Sequence, residues 1–481
     1  MIRSSKRRRL AAPAVLVTLG LTLAAGCGGD DDDSTSEPAA EETATAEEPA
    51  AAETTAPAEE PAMEESTAEE STMEESTMEE STAEESSMEE PAAEGKVTDY
   101  VAYTGGTAGP ADDSMETIKI GYINQDGGAI VVSSTHDDGA DVALQLINEE
   151  LGGIGGHPVE FVQCFIANSE EEGQQCGQTF ANDDSIAAVI TGPTVTGTQA
   201  FYAALDGSKV VVQGVSVSPV DLVQPNVAAL NGGSAYVLAP FGTFASETLG
   251  VETAALVYSE QTQSDAAAGQ AAAFEAVGID VEVVSYSQGI PDLTVPLLAA
   301  GATDADLVMP VIAAPECVQF IEAQRQLEIP DEKVLASPVC LSSAVIEGVG
   351  DFPNWYYGIT SSLGTDTSDP AVPPYQEVLM AAGRDDLIPD PWALVAFSQT
   401  LTLAQWMNNL GADNITTDGL LDQMANFTGP YVLGAPVLDC GAYPEAPGTC
   451  GDSTQFYKYD SPNFTQASDF VRPPEGWENP S

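Results

Sequence analysis

Beyond residue 117 the apolar residues of this chain gather into short runs, and the runs alternate with segments of helical spacing. IKIGYI (118–123) reads as a strand; GADVALQLINEELGG, from Gly139, reads as an amphipathic helix closed by Gly152 and Gly153. VEFVQCF follows IGGHP as a second strand, and a helix near 170–181 opens with Ser169 as its cap. IAAVITG (186–192) and KVVVQG (209–214) are strands of the buried type, each followed by a polar loop. A second set comes next: strand AALVY (254–258), helix 265–277, strands VEVVSY (281–286) and DLVMPVI (306–312), helix 316–327 and strand KVLAS (333–337). Strands alternating with helices predict an α/β fold with doubly wound parallel sheets. Roughly 360 residues exceed one such core, so two lobes are expected.

The front of the chain follows neither pattern. Arg3, Lys6, Arg7, Arg8 and Arg9 make a positive start, and LAAPAVLVTLGLTLAA (10–25) carries no charge. That run has the length of a signal-peptide core and falls short of the roughly 20 residues of a membrane span. Ala24, Ala25 and Gly26 lead into Cys27, which resembles a bacterial lipoprotein signal, although the usual Leu three places before the cysteine is Ala24 here. The resemblance implies a signal peptide over 1–26 and a lipid anchor on Cys27. The chain has seven cysteines, an odd number, and acylation of Cys27 leaves an even set. An ordinary secretory signal with a chance cysteine is the alternative. From Asp30 the chain is low in complexity, with near-repeats such as MEEST and AEEST. Apart from single methionines it has no large apolar side chains to offset the entropy of ordering it. Residues 27–116 are therefore expected to form a disordered acidic tether, extended by self-repulsion.

Charge narrows the function classes. The chain carries 76 acidic and 13 basic residues, a net −63; residues 97–481 alone hold seven Lys or Arg against 51 Asp or Glu. Nucleic acid is excluded as a partner, because a phosphate-binding face needs clustered cations. Anionic membrane surfaces are excluded for the same reason, so membrane contact is expected through the lipid alone. Such density keeps a protein soluble where salt screens it, which points to a salty or calcium-rich habitat. An enzyme is not expected: there is no nucleophile elbow, no phosphate loop, and only His136 and His157 to serve as bases. The two histidines and the lack of closely spaced ligands argue against a metal site, and no cofactor is expected.

Three stretches carry a family resemblance: IKIGYINQDGG, GADVALQLINEELGGIGGHPVEFVQCFIANS and AAVITGPTVTGTQAF, in that order. They resemble the solute receptors of ABC importers, of the branched-chain amino acid (Leu/Ile/Val-binding) type, the type I periplasmic binding proteins. INEELGGIGGHPVEF is similar to that family's helix–turn–strand pattern IN..GGI.G..VE. The resemblance spans most of 117–470 and implies a clamshell of two lobes joined by three crossovers. These are expected near Ser234–Pro240, Gly358–Thr365 and Thr454–Tyr459. Residues 117–236 plus 365–454 would form lobe one, and 237–364 plus 455–481 lobe two. On that topology neighbouring cysteines pair as Cys164–Cys176, Cys317–Cys340 and Cys440–Cys450, in keeping with an oxidising compartment. The resemblance also implies an extracytoplasmic monomer, a small solute as ligand, and ABC permease and ATPase subunits as partners. A ligand sensor that signals to a membrane receptor without transport needs the same clamshell and is the alternative.

Solute contacts are expected in loops at the carboxyl ends of strands. Lobe one offers Gln125, then Thr194, Val195 and Thr196 in GPTVTGT (192–198), then Ser216 and Ser218 in GVSVSP (214–219). Hydroxyls and open backbone N–H groups at a helix N-terminus suit a carboxylate or other acceptor-rich group. Hydroxyls that only cap helices are the alternative. Lobe two departs from the family. Its amino acid receptors close tyrosines over the ligand and hold the ammonium with a carboxylate, but Gln263, Ala313 and Val339 stand in those places. Burying an ammonium without an anion costs several kcal/mol. A free α-amino acid is thus disfavoured unless Glu260 or Glu316 substitutes, and a small amide, a short acid or an apolar-bodied solute is expected.

Overall fold

Two sheets organise the chain. The structure is a computed structural model that describes residues 95–128, 135–260 and 263–480; the signal, Cys27 and the repeats up to residue 94 lie outside the described residues. The first sheet holds β1 (Ile118–Gln125), β2 (Val159–Ile166), β3 (Ile186–Thr191), β4 (Val211–Gln213) and β5 (Val227–Ala229), all parallel, in the order β2-β1-β3-β4-β5. Its central strands are apolar on both faces, as a sheet covered on both sides requires. Successive residues part company: Tyr122, Ile190 and Val212 pack towards the helices Thr135–Glu149 and Pro391–Leu410, while Ile123, Val189 and Val211 pack on Phe180, Phe201 and Leu205. The two helices touch backbone to backbone. A Cβ on Gly139 would stand 2.2 Å from the Ala393 carbonyl oxygen, so only glycine fits there.

The second sheet holds β6 (Thr253–Ser259), β7 (Asp280–Tyr286), β8 (Leu307–Val311), β9 (Leu335–Ala336), β10 (Tyr356–Ile359), β11 (Gln455–Asp460) and β12 (Asn463–Gln466). β7-β6-β8 are parallel, a parallel bridge between Val308 and Val334 leads on to β9, and β10 pairs parallel with β9. At the far edge the expectation of parallel strands gives way, since β11 and β12 are both antiparallel to their neighbours. Ser461 and Pro462 alone join β11 to β12, and a link that short permits only a hairpin. The chain passes between the sheets three times. It leaves β5 for the helix Ser234–Leu238, returns from β10 where Ser361 bridges Gly434, and crosses again between Thr449, which bridges Ala229, and β11. Disulfides join Cys164 to Cys176, Cys317 to Cys340 and Cys440 to Cys450.

One boundary is corrected. Residues 95–116, assigned above to the tether, belong in part to the folded core: Val97, Tyr100 and Tyr103 are buried in the first-lobe cluster. A short helix, Tyr100–Thr104, is capped by Asp99 and lies on Pro391–Leu410. Tyr103 Oη and Thr402 Oγ1 are 2.9 Å apart, Gln405 Nε2 donates to the Tyr103 carbonyl (2.8 Å), and Lys96 pairs with Asp369 (2.7 Å). Val97, Tyr100, Val101 and Thr104 have helical spacing, but the motif is too short to stand out beside the repeats.

Candidate functional site

At the mouth of the first sheet β1 ends in Asn124 and Gln125, both fully buried. Gln125 Oε1 accepts from the backbone N–H groups of Val195 (2.8 Å) and Thr196 (3.0 Å), and its Nε2 lies 3.4 Å from Thr196 Oγ1. Gly197 N–H donates to Glu170 Oε1 at 2.9 Å. The donors expected to stand open for a solute acceptor are thus met by the protein's own side chains. Thr198 Oγ1 donates to the Thr194 carbonyl (2.9 Å) and lies 3.2 Å from Thr194 Oγ1, so the Thr194 hydroxyl also turns inward. Ser216 is buried, its Oγ 2.8 Å from both Asp221 Oδ2 and the Ser218 carbonyl. Gln125, Thr194 and Ser216 therefore build the mouth, while Val195 (48% exposed) and the half-buried Thr196 and Ser218 remain accessible on it.

A buried network holds this mouth in place. Tyr122 Oη donates to Asp137 Oδ1 (2.8 Å), as does Asn124 Nδ2 (2.7 Å), and His136 Nδ1 lies 2.6 Å from Tyr122 Oη. Because Tyr122 gives its proton to Asp137, His136 Nδ1 must be the donor, and its Nε2 then accepts from Gln399 Nε2 at 3.2 Å. Gln399 Nε2 also donates to the Thr191 carbonyl (3.2 Å). This scheme requires a neutral imidazole, and burial pushes the His136 pKa down to about 3. Asp221, which holds Ser216, is fully buried, and burial pushes its pKa up to about 6.

The second mouth is built differently. Ser259 closes β6 beside Tyr286, its register partner at the end of β7. Glu316 follows β8 and is 5% exposed; its Oε2 accepts from Ala313 N–H at 3.0 Å. Glu316 Oε1, Tyr286 Oη and Ser259 Oγ are all buried without a hydrogen bond of normal geometry. Burial first, then the charge of the adjacent Glu316, raises the Tyr286 pKa. Among the described residues no Lys, Arg or His forms an ion pair with Glu316. Ala313 is half-buried and offers only backbone; Gln263 is half-buried and opens the helix Ser264–Ala276; Val339 is exposed in the turn after β9. Sequence reasoning passed over Ser259, Tyr286 and Asp221. The signal available for the first two was a polar residue closing an otherwise apolar strand, in ALVYS and VVSY.

A family model described as "Periplasmic binding protein" matches residues 117–441. No curated protein matches the chain. Among solved structures, the leucine-binding protein LivK of Thermotoga maritima is 16% identical with a TM-score of 0.59, covering 74% of this chain and 99% of its own. The branched-chain amino acid binding protein LivJ of Streptococcus pneumoniae, solved with isoleucine, is 18% identical with a TM-score of 0.58, covering 74% and 100%. A solute-binding protein of R. palustris, solved with 4-hydroxybenzoate, is 13% identical with a TM-score of 0.60, covering 75% and 99%. At these identities the likeness is one of fold.

Proposed function

Because the chain belongs to the periplasmic binding protein family, we propose that it is an extracytoplasmic receptor, anchored by lipid on Cys27, that captures a small solute between two lobes and delivers it to an ABC importer. The lobes are taken as 117–236 plus 365–454, with 95–116 added, and 237–364 plus 455–481. Capture is a population shift: solute binds the open form, the lobes close, and the closed form docks on the permease. The observation that carries the solute class is Glu316, a buried carboxylate beside Tyr286 with no cation paired to it among the described residues. A buried anion favours a ligand that brings a donor to it. The segments GPTVTGT, GVSVSP, SEQTQ and AAPE at the strand ends contain no Lys, Arg or His, and the nearby amide donors of Val195, Thr196 and Gly197 are already taken. The reading is therefore a solute with an amine or amide group and an apolar body set against Val195, rather than a simple acid. The relatives solved with isoleucine and with 4-hydroxybenzoate mark the size range.

A thermal-shift screen of the purified protein, in high and low salt, tests this. The panel holds branched-chain and aromatic amino acids, amides, ureas, short carboxylates and sugars. A ligand at a hundredfold excess over its Kd adds about 2.7 kcal/mol, which a melting curve resolves. Hits confined to carboxylates would sink the solute class, and no hit at any salt would sink the receptor reading.

A further inference from the structure

The crossovers carry a fastening that the solute site does not use. Beyond β12 the chain doubles back along the third crossover, where Thr454 and Val471 exchange two backbone hydrogen bonds (2.9 and 2.8 Å). Arg472 grips Asp452 on that crossover, with Nη2 2.7 Å from Oδ2 and Nε 3.1 Å from Oδ1. Thr454 Oγ1 donates to the Val237 carbonyl (2.6 Å), tying the third crossover to the first. Thr243, in the helix Pro240–Phe244 beyond the first crossover, donates its hydroxyl to the Arg472 carbonyl at 3.0 Å. The tail then delivers Trp477, 8% exposed, whose indole N–H donates to the Gly269 carbonyl at 3.0 Å on the second-lobe helix Ser264–Ala276.

Three rings meet there from three parts of the molecule. Trp477 stands edge-on to Tyr236 of the first crossover (centroids 5.6 Å apart) and to Tyr443 (6.5 Å), which lies in the loop closed by Cys440–Cys450. Tyr236 and Tyr443 are 4.6 Å apart, and Tyr443 Oη donates to the same Asp452 at 2.7 Å. Leu222, Ala229 and Ala446 complete the cluster from the first lobe and Ala273 from the second. A Cβ on Gly269 would stand 2.9 Å from Ala235 Cβ, so the second-lobe helix presses directly on the first crossover. A hinge works by changes at a few residues between packed bodies. Rotating the lobes moves Gly269 relative to Tyr443, and Trp477 touches both.

We propose that the C-terminal strap, residues 467–480, is a clamp on the hinge, and that Trp477 is a positioning residue which sets the resting angle between the lobes. Its consequence for capture rests on the receptor reading above; the clamp itself does not. The test places nitroxide labels on exposed positions of each lobe, Glu160→Cys and Glu282→Cys, in the full chain, and measures the distance between them by pulsed electron resonance. Trp477→Ala and, separately, Arg472→Gln are expected to shift the distribution or widen it about twofold, as a looser equilibrium between angles requires. Trp477→Phe, which keeps a ring, restores most of the wild-type distribution. Superimposable distributions for Arg472→Gln and wild type, with Trp477→Ala either superimposable or unfolded, overturn the clamp. The measurement needs no solute. A screen without hits beside a shifted distance therefore sinks the receptor reading alone, and a solute hit beside an unmoved distance sinks the clamp alone.

Discussion

The two lobes finish their parallel strands in opposite ways. In the first, the mouth is closed upon itself: Gln125 meets the amides of Val195 and Thr196, Glu170 meets Gly197, and Ser216 rests on Asp221. In the second, Glu316 is buried beside Tyr286, the register partner of Ser259, and no cation pairs with it among the described residues. Buried polar atoms without a hydrogen bond of normal geometry remain in both lobes, among them Asp221 Oδ1 and Gln399 Oε1 in the first. At the strand ends of the first, however, side chains meet the backbone donors, whereas the second keeps a buried carboxylate with no cation paired to it among the described residues. On the function proposed above, the first lobe would supply support and the second the chemical choice.

The largest effect that would break this contrast is expected at Glu316. Glu316→Gln should lose about 2–5 kcal/mol of affinity for an amine or amide solute, measured by calorimetry on a screen hit. The same variant should unfold in urea no earlier than wild type, because it removes a buried charge without a counter-ion. Equal affinity in the variant would mean the second lobe does not select by charge. Gln125→Ala should act the other way round, by leaving the Val195 and Thr196 amides without an acceptor. A stability loss of roughly 1–3 kcal/mol is expected in urea titration, and an unchanged midpoint would mean these donors find water at no cost.

Acid titration sharpens the comparison within the first lobe. His136 has its folded pKa pushed to about 3 from 6.5, so between those values the unfolded chain binds a proton that the folded one refuses. Stability falls as pH drops through that window. Asp221 works oppositely. Its folded pKa is raised to about 6 from 3.8, so the folded state takes up the proton first and gains stability as pH falls between those values. Asp221→Asn should therefore be more stable than wild type at pH 8, by on the order of 1 kcal/mol, and lose that advantage near pH 4. Denaturant midpoints across pH decide it; a constant difference would show that Asp221 does not titrate in this window. The smallest effect is expected from His136→Gln, which should flatten the acid limb of the same profile.

Most strands of the fold were legible because buried parallel strands are short apolar runs bounded by polar loops, as in IAAVIT and LVMPV. The helix Pro391–Leu410 was not, because it is buried on nearly all sides and shows no polar face to mark its period. QFYKYD and NFTQ were too short and mixed to announce an antiparallel edge. At the strand ends, sequence reasoning took the polar groups of these loops to stand open, whereas most of them turn inward. That Gln125 seals Val195 and Thr196 depends on a contact across 70 residues, which no local pattern encodes. Glu316 was visible as an acid opening a helix. That no Lys, Arg or His among the described residues pairs with it became visible only when the chain was folded.

The place where the chain enters its fold has a mechanical consequence. Helix Tyr100–Thr104 is fastened to Pro391–Leu410 through Tyr103 and Thr402, and Lys96 to Asp369. The described segment that leads into β1 is thus fastened to the first lobe. A load applied at that segment therefore enters the molecule through the long buried helix Pro391–Leu410 at the base of the first lobe.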